Sequence, residues 1–325
     1  MTGGRGARLR PPESHQPLTT PTPTAAACGR TVRGVRIGIV SHHASRTNVE
    51  LAAAAPTGVQ AFVITPEDAL RRLRPGDVAL GRLDVLPSFD GVEEGLVHLK
   101  RLELNAISVL NRSLTLRLAH DKLATAAALA AAGVPHPRTR SVGPHSKAPP
   151  LPFPLVLKPR FGSWGGDVVR CNDAADYAIA LEAFRRRRWF HAAGAVAQEL
   201  VPPLGHDLRL VVAGGEVVGS VRRVAPPGEW RTNVALGARR EPIDAPPAAL
   251  ELARAAARAL DADLVGVDLL ARGPGRYVVL ELNGAVDFCR DYAPHTDVFG
   301  SVMRALVPRM PRLQVMPELA EAGAW

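Results

Sequence analysis

Lysine is nearly missing from this chain: of its 40 basic residues, four are lysine and 36 are arginine. Cysteine is equally scarce. Cys28, Cys171 and Cys289 are scattered, odd in number and without metal-ligand spacing, which excludes a disulfide framework or zinc site and fits reduced thiols in the cytoplasm. No apolar run approaches the roughly 18 residues of a membrane span, and the proline- and threonine-rich start offers no signal-peptide core. Aromatic residues make up 5% of the chain and are not interleaved with basic ones. The net charge of +9 is therefore read as arginine- and alanine-rich composition, and no nucleic-acid partner is expected.

What is present is an alternation of short apolar runs and helical patterns. Residues 1–33 read as a disordered tail, and 316–325 as a short C-terminal one. Val35–Val40, Ala61–Thr65, Asp77–Gly81 and Ile107–Leu110 read as strands separated by helices, which predicts a parallel α/β domain over 34–111. His42 and His43 follow its first strand and would face the crevice at the strand ends. Residues 112–315 predict a mixed α+β region, divided near 197–198. Its helices lie at 113–132, 174–187 and 248–260, with Asp121 capping the second half of the first. The arginine run 185–188 closes the second of these helices. Hairpins are expected at Leu208–Val224, turning on Gly214-Gly215, and at Leu264–Leu270 with Arg276–Asn283.

Where arginine is so favoured, a retained lysine marks a place where a compact ammonium is needed, as between phosphate oxygens. Lys122 opens an alanine-rich helix, and Lys158 ends Pro154-Leu155-Val156-Leu157 just before the glycine loop Gly162-Ser163-Trp164-Gly165-Gly166. Backbone N–H groups of such a loop can approach an anion, with Ser163 adding a donor, although a plain hairpin turn has the same composition. The last hairpin is the strongest feature. Alternation puts Glu281 and Asn283 on one face, and a turn at Gly273-Pro274 would set Asp268 opposite Val279 on that same face. Two carboxylates and a carboxamide make an oxygen-only set suited to Mg²⁺. Glu199 and Val201, at a strand end, could read an adenine edge, and Asp207 could take ribose hydroxyls. In the loop Trp230-Arg231-Thr232-Asn233, Arg231 could hold a carboxylate or a developing acyl phosphate.

In order, Asp-Lys, Leu-Lys-Pro with its glycine loop, Gln-Glu-Leu-Val, Gly-x-Asp-x-Arg, Trp-Arg-x-Asn, Gly-Val-Asp and Glu-Leu-Asn resemble the ATP-grasp superfamily, and within it the RimK-type α-L-glutamate ligases, over about residues 35–310. The resemblance implies an ATP-grasp fold behind a Rossmann-like domain. It implies an ATP-dependent ligase that joins glutamate to an amine acceptor, small molecule or peptide, and is open to homo-oligomers. Lys122 and Lys158 would hold ATP phosphates, and Ser163, Gly165 and Gly166 would cover them. Glu199 and Val201 would meet the adenine and Asp207 the ribose. Asp268, Glu281 and Asn283 would hold two Mg²⁺ ions, with Mn²⁺ as a substitute, while Arg231 and Asn233 would face the reacting carboxylate and γ-phosphate. A dipeptide ligase of the same superfamily or a catalytically silent ATP-binding module would keep many of these residues. One departure concerns the acceptor: after Glu-x-Asn, ribosomal-type members continue with a small residue, proline and glycine, whereas this chain has Gly284-Ala285-Val286-Asp287-Phe288.

Overall fold

In the computed structural model, residues 35–85, 94–162 and 165–310 are described. The expected terminal tails and Ser163 lie outside those residues. The chain opens with β1 (Val35–Val40), α1 (Arg46–Ala53), β2 (Val59–Ile64), α2 (Pro66–Arg72), β3 (Val78–Gly81), α3 (Glu94–Leu104) and β4 (Ser108–Leu110). These strands form a parallel sheet in the order β2-β1-β3-β4, as the alternation predicts. Ser45 and Thr65 start α1 and α2 by accepting the backbone N–H of Asn48 and Asp68, and Pro66 spends no donor at the first turn. His42 and His43 are exposed beyond β1, and a Cβ placed on Gly95 would meet the His42 ring at 2.9 Å.

Two helices follow, α4 (Ser113–His120) and α5 (Lys122–Ala131), broken at Asp121. The Asp121 carboxylate accepts from the N–H groups of Leu123 and Ala124, so the capping residue ends one helix and starts the next. β5 (Thr139–Val142), β6 (Leu155–Pro159), β7 (Val169–Cys171), α6 (Ala174–Arg185), α7 (Arg188–Ala193) and β8 (Ala195–Glu199) then build an antiparallel sheet ordered β5-β8-β6-β7. The arginine run does more than close a helix. α6 ends at Arg185, and Arg188 begins α7, which packs Phe190 and Trp189 against Phe184. β5 was hidden from the pattern because two of its four residues, Arg140 and Ser141, are exposed.

The third sheet holds β9 (His206–Ala213), β10 (Glu216–Val224), β11 (Arg239–Pro242), β12 (Leu264–Ala271) and β13 (Tyr277–Asn283), with α8 (Pro247–Ala259) before β12 and α9 (Val298–Leu306) after β13. Its order is β11-β10-β9-β12-β13. The polar edge strand β11 and the helix α9, which contains Gly300, escape a hydrophobic-run reading. One face of the sheet, carrying Leu208, Leu210, Val212, Val265, Val267, Leu269, Val279 and Leu282, is buried with the alanines of α8. The opposite face is apolar near Val211, Ala213 and Leu264, where α9 and residues of β1 join one cluster, and polar farther along. Asn111 fastens the parallel sheet to this one. Its fully buried carboxamide donates to Leu264 O at 2.6 Å and accepts from the N–H groups of Asp263 and Leu264 at 2.9 and 3.0 Å.

Candidate functional site

Strand register assembles the polar face. Asp268 pairs with Arg209 across β12 and β9, Asp207 pairs with Arg223 across β9 and β10, and Asp268 pairs with Glu281 across β12 and β13. Alternation therefore places Asp207, Arg209, Arg223, Asp268, Glu281 and Asn283 on one side. The expected pairing of Asp268 with Val279 is corrected. A β-bulge at Leu280 shifts the ladder, so Leu269 pairs with Val279 and the Val279 side chain turns to the core with α8. Asp268 and Glu281 still share a face, because they oppose each other directly.

The carboxylates on that face differ in what holds them. Asp268 is fully buried and accepts a two-pronged Arg209 at 2.6 and 2.6 Å, with Arg223 adding a third bond at 2.8 Å. Burial alone would raise its carboxyl, but the two guanidinium groups hold it at about 2, so it stays ionised. Asp207, also buried, is gripped by Arg223 and does not line the cleft. Where a ribose-binding acid was expected, the structure has one half of a buried ion pair. Glu281 is different: its carboxylate makes no hydrogen bond or ion pair among the described residues. The neighbouring Asn283 Nδ2 is buried without a partner.

Facing Glu281 are the two lysines. Lys158 is 5% exposed at the end of β6, and burial lowers its ammonium to about 8 against the opposing pull of Glu281. No described residue hydrogen-bonds its Nζ. The Lys122 ammonium is also lowered by burial and opposed by Glu281, and it donates to Gly162 O at 2.6 Å. Arg160 locks the two lysine-bearing segments together, donating to both Asp121 oxygens at 2.7 and 2.6 Å while its carbonyl accepts the Lys122 N–H at 3.1 Å. These cations border a cleft with about 990 Å³ of empty space, part of it open to solvent. Gly165, Gly166, Glu199, Val201, Arg231 and Asn233 line it as well.

At the far end of the cleft, Val201 is buried and its N–H makes no backbone bond among the described residues, leaving a donor for a heterocycle edge. The Glu199 side chain turns away into ion pairs with Arg138 at 3.2 Å and with Arg272. Burial would raise its carboxyl; the Arg138 hydrogen bonds bring it below the usual range. Arg231 is held by Glu229 at 2.9 and 2.7 Å and donates to Gly165 O at 3.0 Å, while Asn233 packs where a Gly165 side chain would be. The Arg231 hydrogen bond holds Glu229 down at about 2. Sequence reading passed over Arg223, Arg160 and Glu229, and used Arg209 only as part of a motif. For Arg209, Arg223 and Glu229 the signal was pairing, by strand register or by a tight turn; Arg160 meets Asp121 only through the fold.

A cleft between an antiparallel sheet and a mixed α+β unit, lined by one buried and one half-buried ammonium, a glycine loop and an unclaimed acid–amide pair, is the arrangement of ATP-grasp enzymes. Solved structures bear out the fold. A RimK-domain ATP-grasp protein from Sphaerobacter thermophilus aligns with a TM-score of 0.63 at 23% identity, over 84% of this chain and all of that one. A D-alanine–D-alanine ligase from Bacillus anthracis complexed with ATP gives 0.63 at 18% identity, over 85% and 97%. Residues 119–297 match the RimK-like ATP-grasp domain. A probable α-L-glutamate ligase of Shewanella amazonensis is 29% identical over 77% of this chain and 88% of its own length. A glutamate–LysW ligase of Sulfurisphaera tokodaii is 30% identical over 66% and 78%. The chain belongs to the RimK-like ATP-grasp family, and it is an ATP-dependent ligase.

Proposed function

We propose that this ligase activates a carboxylate with ATP and joins it to an amine, with glutamate as one of the two partners. Support comes chiefly from one observation: a buried ammonium, Lys158, a half-buried one, Lys122, and a carboxylate without a partner border the same cleft. That arrangement is costly by itself, and polyphosphate with a divalent cation relieves it. Glu281 and Asn283 fit a hard cation through oxygens not held by other side chains, and Asp268, always ionised, would complete the set by releasing one guanidinium contact. These three would hold Mg²⁺ or Mn²⁺, and two ions is the number we propose. A divalent cation held by these residues would supply positive charge against the phosphates.

Lys122 and Lys158 would hold the phosphates, with Ser163, Gly165 and Gly166 over them. Glu199 and Val201 would seat the adenine through the backbone. The ribose role given to Asp207 lacks support while Arg223 holds that carboxylate. A carboxylate oxygen attacks the γ-phosphorus, the bond to the β-phosphate oxygen breaks, and ADP leaves with the electron pair. Arg231 and Asn233, at the cover loop, face the resulting acyl phosphate. A neutral amine then forms the C–N bond, phosphate leaves with the C–O electrons, and the nitrogen gives up a proton to solvent. The chain's part is positioning and charge neutralisation. We place the reaction in the cytoplasm. No helix among the described residues is long and apolar enough to cross a membrane, and Cys171 is a buried free thiol. The further division into a 34–111 domain and an ATP-grasp region over 112–315, itself split near 197–198, is part of the same proposal.

The test is ADP release and hydroxamate formation with Mg-ATP, hydroxylamine and a panel of carboxylates headed by L-glutamate. Hydroxylamine intercepts an acyl phosphate whatever the natural amine. Formation of a hydroxamate is expected; ATP-dependent hydroxamate absent across the panel would end the ligase reading.

A further inference from the structure

A second cavity adjoins the nucleotide cleft and shares Arg223, Asn233 and Glu281 with it. It has about 910 Å³ of empty space, part of it open to solvent, and its remaining charged walls are Asp84, Arg209, Arg240 and Asp287. Asp84 follows β3 of the parallel sheet, Asp287 lies in the turn after β13, and Arg240 lies on β11, so three separate elements supply the walls.

The cations and anions of this cavity are not equally free. Arg209 and Arg223 already have their forks filled by Asp268 and Asp207. Arg240 makes no hydrogen bond or ion pair among the described residues, which leaves it to receive one carboxylate. Asp84 and Asp287 are 54% and 58% exposed, and each has only a loose neighbour: His120 Nδ1 at 3.6 Å and Arg82 Nη2 at 3.8 Å. Burial lowers the pKa of the His120 ring, which keeps it a poor counter-ion. Arg82 is buried and is fixed elsewhere, to Asn48 Oδ1 and Val286 O at 2.7 Å each, with Nη1 lacking any partner. It sets the Asp287 turn in place more than it neutralises the carboxylate. The cavity thus offers one unspent guanidinium and two acceptor-rich carboxylates beside the site of acyl-phosphate formation.

We infer that this cavity takes the amine substrate, and that the substrate is a basic amino acid: one carboxylate for Arg240, and two amino groups for Asp84 and Asp287, one of which sheds its proton to solvent before it attacks. This rests on the ligase reading above and adds the class of the amine. An acidic amino acid would bring a second carboxylate with no free cation to meet it and two aspartates to repel it. On this reading glutamate enters as the carboxylate partner, and its own amine is disfavoured.

Calorimetric titration of the full chain in Mg-ADP and saturating L-glutamate, which fills the carboxylate subsite, with L-lysine and with L-aspartate tests this. L-lysine should bind at least about ten-fold more tightly than L-aspartate. D84N and D287N should each weaken lysine about ten-fold without weakening aspartate, whereas R240Q should weaken both amino acids. Melting curves of the variants verify folding, and the wild-type comparison stands even if a variant fails to fold. L-aspartate binding as tightly as lysine, absence of lysine binding, or D84N and D287N proteins with unchanged lysine affinity would each overturn the assignment. Hydroxamate formation needs no amine site. If hydroxamate forms while lysine shows no preference, the amine assignment alone falls; if lysine binds as stated and no hydroxamate forms, it is the ligase reading that fails.

Discussion

A single ammonium shows how the resting protein carries the cost of its ligand site. Lys158 is pushed from its ordinary 10.5 to about 8 by burial, so the folded chain binds its proton more weakly than the unfolded chain does. Between those values the unfolded state holds more protons, and stability contributed by this group rises with pH. The deficit is full below pH 8 and disappears above 10.5. Replacing Lys158 by methionine removes it, worth on the order of 3 kcal/mol at neutral pH. In urea unfolding, K158M should be the more stable protein at pH 7, and its advantage over wild type should shrink steadily towards pH 10. A constant difference across that range would show that Lys158 is not held uncompensated. Its activity should be lost at every pH. The acids on the polar face split by the same reasoning. Glu281 makes no hydrogen bond or ion pair among the described residues and acts on the lysines only through space, so E281Q should lower the melting temperature far less than a loss of Asp268 does, while ADP release falls at least about a hundred-fold. Asp268 neutralises a buried guanidinium, Arg223, and a half-buried one, Arg209, and D268A should destabilise the fold by about 3–5 kcal/mol. Equal melting temperatures for these two variants would contradict the pairing seen here.

The elements bearing the site were legible where chemistry and period agreed. The hairpin β12–β13 was found because acidic and amide residues interrupt an alternating apolar run, and its shared face followed from alternation alone. Its register was not legible, since nothing in the local sequence announces that Leu280 forms a bulge. Asp121 was recognised as a cap, yet its bond to Arg160 was invisible because the partner lies 39 residues away. That bond ties α5 to the end of β6 and thereby fixes how Lys122 stands relative to Lys158. D121N should keep a capping oxygen and so most of the α5 stability, losing less than about 1 kcal/mol from the cap. It should still raise the KM for ATP several-fold, because the charge holding Arg160 has gone. D121A adds the cap loss, of about 1 kcal/mol. Unaltered ATP kinetics in D121N would reduce Asp121 to a helix cap. β5 and β11 were missed because they are short and polar-faced, so their assignment depends on the strands beside them.

At the scale of the whole molecule, the parallel sheet and the third sheet share one core and are joined by hydrogen bonds from Asn111 and from Arg82, which donates to Val286 O. Ile37, Ile39 and Leu51 belong to the same buried cluster as Val211, Val221, Phe299 and Val302. Asn111 closes the joint in a left-handed backbone conformation, φ 50°, that asparagine tolerates better than most residues. Alanine there would leave the buried N–H groups of Asp263 and Leu264 and the Leu264 carbonyl without partners, and would strain the backbone. The expected cost is about 3–5 kcal/mol, the sum of lost buried hydrogen bonds and the φ penalty. N111G keeps the cost of the lost bonds but relieves the strain, so it should fall between wild type and N111A. A core shared across the joint makes the two sheets unfold together. Wild type should therefore lose far-ultraviolet circular dichroism and tryptophan fluorescence in one coincident transition. N111A should move that transition to lower urea, and two separated transitions in the wild type would mean that the sheets are independent folding units.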